Sequence, residues 1–214
     1  MDLLGHRDEQ MTVMRYVLSD PGILAEIEEI TREMVILKGL DAVKSGDSLQ
    51  GKAAPILRAR VDQYAKLLGK NAFEPTNLRE FVEVITEGGT GWAIIGPGKV
   101  CTGFRQGGLC NEGTGEANPH YCSPDCNNQL LFKEYEEADG TIASTVEESI
   151  ETLDYMVEQL RRVACGGEQM LIPQFVGQVV GLLNHWPEVD EYFRDHHLPD
   201  PEINKHFLRV ALLP

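Results

Sequence analysis

The stretch Cys101-Thr-Gly-Phe-Arg-Gln-Gly-Gly-Leu-Cys110, followed after eleven further residues by Cys122-Ser-Pro-Asp-Cys126, decides how the middle of this chain is held together. It contains four of the five cysteines. Gly103, Gly107, Gly108, Gly113, Gly115, Pro119 and Pro124 lie between them, so the segment has too few apolar side chains to close on itself by packing. Four thiolates around a tetrahedral Zn²⁺ staple such a loop at bond lengths of about 2.3 Å, and Cys122 and Cys126 have the short separation of half a zinc site. The other half is looser, because eight residues separate Cys101 from Cys110, and His120 is a possible substitute for one thiolate. Four protein ligands leave no position open for a water, so the expected role of the metal is structural. The alternative at this stage is four unliganded thiols in a loop.

On the N-terminal side of the loop, Trp92-Ala-Ile-Ile95, a Gly96-Pro-Gly98 turn and Lys99-Val-Cys101 read as a β-hairpin that delivers Cys101. Its glycines are not a phosphate loop, because Val100 follows Lys99 where a Ser or Thr hydroxyl is needed to hold Mg²⁺. Further upstream, Asn77 is the expected cap of a short helix running through Val84 and Ile85. A helix starting near Pro55 carries Leu57, Val61, Tyr64 and Leu68 on its inner side. From Pro21 to Lys44, the residues Ile23, Ile27, Ile30, Met34 and Leu37 recur at steps of three and four, which predicts an amphipathic helix whose apolar face enters the core.

On the C-terminal side, Thr145-Val-Glu-Glu148 is a capping-box pattern opening a helix lined by Ile150, Leu153, Val157, Leu160 and Ala164. After Gly166-Gly167, a second run through Ile172, Phe175, Val176, Val179, Val180 and Leu183 predicts a partner helix antiparallel to the first. Adjacent residues on a helix or loop point apart, so His196-His197 is expected to form a solvated turn before Pro199 and not a metal pair.

Charge is uneven along the chain. Residues 1–70 carry 10 Lys+Arg against 11 Asp+Glu, whereas residues 71–214 carry 9 against 23. A long acidic surface repels a phosphate backbone, so any contact with DNA is expected in the first part and any binding by the chain alone is expected to be weak. No apolar run approaches the ~18 residues of a membrane span. The polar opening residues lack the pattern of a signal peptide, and an odd number of cysteines suits reduced thiols plus a metal, so a cytoplasmic location is expected.

The first twenty residues place Leu4-Gly5-His6, then Met11-Thr12, then Tyr16, ahead of Ser19-Asp20-Pro21. A tyrosine phenol attacks a phosphodiester only where donors stabilise charge on the phosphate oxygens, and histidine is one such donor. This pattern resembles the last catalytic segment of the tyrosine-type site-specific recombinases, the phage-integrase family. The resemblance implies that Tyr16 is the nucleophile, forming a covalent 3′-phosphotyrosyl link to DNA, and that His6 is a hydrogen-bond donor to the phosphate. The gap of ten residues from His6 to Tyr16 is one longer than is usual in the family, so the turn before Tyr16 absorbs an extra residue. The family's two arginines, lysine and further histidine or lysine lie upstream of the histidine element. Arg7 and Arg15 match none of those positions, so the chain is expected to be inactive without them. Downstream, Asn118-Pro119 and Cys122-Ser-Pro-Asp-Cys126 resemble a cysteine-rich extension found in some integrases of mobile elements. In the same family the segment after the tyrosine docks on a neighbouring protomer, which the resemblance implies for residues 21–44.

The expected fold is mainly α, with a small β-hairpin, a zinc-stapled loop and a C-terminal antiparallel helical hairpin. The expected segments are residues 1–45, the tail of a recombinase catalytic domain; 46–140, a module of helix, hairpin and cysteine cluster; and 141–214, an acidic helical region. DNA integration or recombination is the expected function. A non-enzymatic, zinc-stapled protein-interaction module is the alternative.

Overall fold

The first described element of the computed structural model is a 25-residue helix, α1 (Pro21–Ser45); the structure describes residues 20–207 apart from 113, 114, 138, 167, 168 and the side chain of His120. Asp20 caps it by accepting the backbone N–H groups of Gly22 at 2.8 Å and Ile23 at 3.3 Å, while Pro21 occupies a position that needs no N–H. Helices α2 (Ala54–Leu68) and α3 (Pro75–Ile85) follow. They are joined by the Tyr64 hydroxyl, which donates to the Asn77 carbonyl at 2.6 Å, and by stacking of the Tyr64 and Phe81 rings. Helix α3 starts at Pro75, two residues before the expected cap, because proline is preorganised for the first turn; the Asn77 side chain turns back to the Asn71 carbonyl.

Three short antiparallel strands come next in the order β1 (Ala93–Gly96), β2 (Lys99–Cys101) and β3 (Gln129–Leu131). Gly98 turns the first hairpin at φ +61°, and a Cβ there would meet Thr145 and Tyr135 side chains at 2.5 and 2.7 Å, so both conformation and space demand glycine. A second hairpin, β4 (Glu134–Glu136) with β5 (Ile142–Ser144), leads into α4 (Thr145–Gly166), α5 (Ile172–Leu183), α6 (Pro187–His196) and α7 (Pro201–Phe207). The protein is therefore mainly helical with two small antiparallel sheets.

Two apolar cores lie on either side of β3. Successive strand residues point to opposite faces. Leu130 enters a core formed by Val35 and Ile36 of α1, Leu57 of α2, Val82 of α3 and Trp92, whereas Leu131 enters a core built by α4 to α7 around Leu153, Val157, Val179 and Phe193.

Three local expectations are corrected. The row Ile27, Ile30, Met34 and Leu37 on α1 faces outward, with Ile30 54% and Leu37 50% exposed; Val35, Ile36, Gly39, Ala42 and Val43 form the buried side instead. Thr145 is the first residue of α4 and does not cap it. Its hydroxyl donates to the Phe132 and Lys133 carbonyls, Ser144 accepts the Val146 N–H, and Glu148 is drawn to Lys99 and Tyr135. His197 is buried, and its Nε2 lies 2.7 Å from Asp154 Oδ1, clipping α6 to α4, while His196 stacks on Tyr192. The Phe132, Lys133, Lys99 and Asp154 partners lie 13, 12, 49 and 43 positions away in the chain, beyond any local window.

Candidate metal centre

Cys101 ends β2 and lies opposite Gln129 of β3 in the ladder, so the register fixes it beside the turn that carries Cys126. Cys110 sits in the 3-10 turn Leu109–Asn111, and Cys122 directly follows a second such turn, Pro119–Tyr121. The two turns pack against one another. Cys101 and Cys126 are buried, Cys110 and Cys122 are half-buried, and none is in a disulfide. Gly108 lies so close to Cys126 that a Cβ there would meet its Sγ at 2.9 Å, which explains a glycine at a position without positive φ.

The thiols form one electrostatic group. Burial pushes the Cys122 thiol up to about 11, with Cys126, Cys101 and Cys110 adding to the shift and a hydrogen bond from Gln129 opposing it. The Cys101 thiol is raised in the same way, first by burial and then, against a hydrogen bond from Gly103, by Cys126 and Cys110. N–H donors already point at the sulfurs: Asn118 N–H to Cys110 Sγ at 3.3 Å and the Gln129 side-chain amide to Cys122 Sγ at 3.6 Å. Donors to sulfur are the outer-shell partners that a metal thiolate uses. As placed, however, no three His, Cys, Asp or Glu side chains among the described residues are gathered tightly enough to hold an ion. The topology thus brings the four cysteines of the sequence pattern to one loop cluster, short of ligand geometry.

Residues from both the α2 side and the C-terminal helices grip this loop from outside. His185, at the end of α5, is buried and donates Nε2–H to the Pro124 carbonyl at 2.8 Å, and Lys52, just before α2, pairs with Asp125. Both contacts hold the residues between Cys122 and Cys126, and sequence patterning had offered no sign of either. Tyr16 and His6 lie outside the described residues. Cys165 stands apart and exposed at the end of α4. No described helix is long and apolar enough to cross a membrane. Comparison with protein-family models, with curated proteins and with solved structures gave no match.

Proposed function

We propose that this chain is the C-terminal part of a site-specific tyrosine recombinase acting in DNA integration or recombination. The carrying observation is the succession Leu4-Gly5-His6, Met11-Thr12 and Tyr16. In this reading the Tyr16 phenolate attacks the scissile phosphate and forms the tyrosyl O–P bond, and the 5′-hydroxyl of the cleaved strand leaves. His6 donates a hydrogen bond to a non-bridging oxygen. Phosphoryl transfer depends on positioning and on charge stabilisation, and one histidine supplies little of the latter, so the reaction needs the arginines of an upstream catalytic part.

Two features support the reading without carrying it. Asp20 starts α1 four residues after Tyr16, and from Pro21 to Arg32 no side chain of that helix is buried. Its outward row Ile27, Ile30, Met34 and Leu37 keeps the spacing of a helix–helix seam, which suits docking of residues 21–44 on a neighbouring protomer. Cys101, Cys110, Cys122 and Cys126 hold one structural Zn²⁺ that closes the extension; the supporting chemistry is the shared thiol cluster with N–H donors on its sulfurs.

The test is trapping on a nicked suicide DNA substrate bearing the cognate site. The 214-residue chain is expected to give no covalent adduct. A longer chain carrying the family's upstream catalytic residues is expected to give one that Tyr16→Phe abolishes. An adduct that survives Tyr16→Phe would overturn the assignment of the nucleophile.

A further inference from the structure

Cations in this acidic protein are sorted by position into paired and unpaired. From Arg79 onward, every described lysine and arginine is ion-paired: Arg79 with Glu33 and Glu83, Lys99 with Glu148, Arg105 with Glu87, Lys133 with Glu188, Arg161 with Glu158 and Asp200, Arg162 with Glu158, Arg194 with Asp190, and Lys205 with Glu202. The described cations with no ion pair are Lys38, Lys44, Arg58, Arg60, Lys66 and Lys70, all within one stretch of 33 residues, from 38 to 70. Lys38 lies over the Phe132 ring and Arg58 donates to the Leu49 carbonyl, so both are engaged internally, while Lys44 is exposed in the last turn of α1, apart from the row on α2. Arg60, Lys66 and Lys70 are exposed, and with Gln63 they recur at steps of three and four along α2 and the turn that ends it. Arg60 also lines a groove of about 170 Å³ between α2 and the cysteine loop, together with Gln106, Asn127 and Thr102, whose hydroxyl donates to the Asn128 carbonyl. The acid in that groove, Glu87, is turned to Arg105.

We propose that this row on α2 and the turn that ends it, Arg60, Gln63, Lys66 and Lys70, is the surface by which the chain touches the DNA backbone, running on toward the groove beside the cysteine loop. The choice of a polyanion follows from charge complementarity. The choice of duplex DNA rests on the recombinase reading. A paired cation must give up its carboxylate before it can neutralise a phosphate, whereas these three already face water, so net charge over the chain conceals a local site. Contacts to phosphate oxygens carry no sequence information, so the contact positions the extension on DNA without specifying sequence.

The experiment is a fluorescence titration of the full chain with a short duplex of arbitrary sequence, across salt. Three phosphate contacts give a log–log slope of about −2.7, hence a fall of roughly 40-fold in affinity between about 50 and 200 mM salt. The variant Arg60→Glu/Lys66→Glu/Lys70→Glu is expected to lose at least about tenfold at the lower salt and most of the slope. The control Arg162→Glu/Arg194→Glu/Lys205→Glu changes net charge by the same amount at paired positions and is expected to stay within about twofold, with thermal melting confirming both folds. Equal losses in the two variants, no salt-dependent binding by the parent chain, or a salt-sensitive self-association that the α2 variant abolishes while duplex binding persists would each overturn the proposal. A longer chain that yields no Tyr16 adduct while the α2 variant still loses duplex binding removes the recombinase reading and leaves the surface. An adduct with unchanged duplex binding removes the surface alone.

Discussion

His185 shows how one residue couples two parts of this protein. Its ring is buried between the end of α5 and the loop, where Nε2–H meets the Pro124 carbonyl, with Asp125, Lys52 and Lys99 in electrostatic reach. Burial holds the imidazole below its ordinary pKa; the Pro124 carbonyl and Asp125 oppose this, and Lys52 and Lys99 reinforce it. As pH falls, the unfolded chain takes up this proton first, from about 6.5 downward. The stability carried by neutral His185 is therefore complete above that value and is lost as pH falls through the lower folded value. The expected outcome is a urea midpoint that drops between about pH 7.5 and 5.5, and drops less steeply in His185→Asn. His206, also held low by burial, titrates in both proteins and cancels in the comparison. Identical pH slopes would show that the ring is not the group responsible.

At the scale of elements, the cysteine loop hangs from β2 and β3 by its ends, and its described helical elements are two 3-10 turns. Its ends are well anchored. Lys99 on β2 and Tyr135 on β4 both donate to Glu148 of α4, which pushes the Tyr135 phenol up to about 12. The interior is held from outside at Pro124 by His185 and at Asp125 by Lys52, and the zinc proposal assigns to the metal the joining of Cys101 and Cys110 to that end. Purified reduced protein is expected to contain about one zinc per chain. Cys122→Ser and Cys126→Ser are each expected to lose that zinc, whereas Cys165→Ser keeps it, with content read by elemental analysis. Reduced protein with no bound metal would remove the zinc and leave four free thiols. Helix α1 makes the complementary point about elements. Its 4-3 spacing of isoleucine, methionine and leucine is legible in sequence, but periodicity identifies an apolar face without saying what covers it. The core took the neighbouring face instead, since small Gly39 and Ala42 let α3 and Trp92 approach; a Cβ on Gly39 would meet Val82 at 2.6 Å.

Across the whole molecule, β3 is the shared wall of two cores. Leu130 and Leu131 are both almost fully buried, one facing α1 to α3 and the other α4 to α7. Deleting either side chain leaves a cavity costing about 2–5 kcal/mol. Because one three-residue strand serves both cores, Leu130→Ala and Leu131→Ala are each expected to lower the midpoint of one cooperative transition. The measurement is calorimetry with far-ultraviolet circular dichroism. Two separated transitions, each sensitive to one substitution, would show that the cores melt independently.

The amino-acid sequence by itself determined the helical majority, the Pro97-Gly98 hairpin, the two helices on either side of Gly166-Gly167 and the grouping of Cys101, Cys110, Cys122 and Cys126. These depend on local periodicity, on turn chemistry and on residues that few other roles employ. Only the tertiary structure decided which face of α1 is buried, that Thr145 and Glu148 serve the strands before they serve their own helix, that His185 and His197 are interior clips, and that the cations without an ion pair among the described residues lie between Lys38 and Lys70. Each of these depends on partners far away in the chain. His185 reaches Pro124 and Lys99 reaches Glu148 across 61 and 49 positions, a separation that no pattern within one helix or strand encodes.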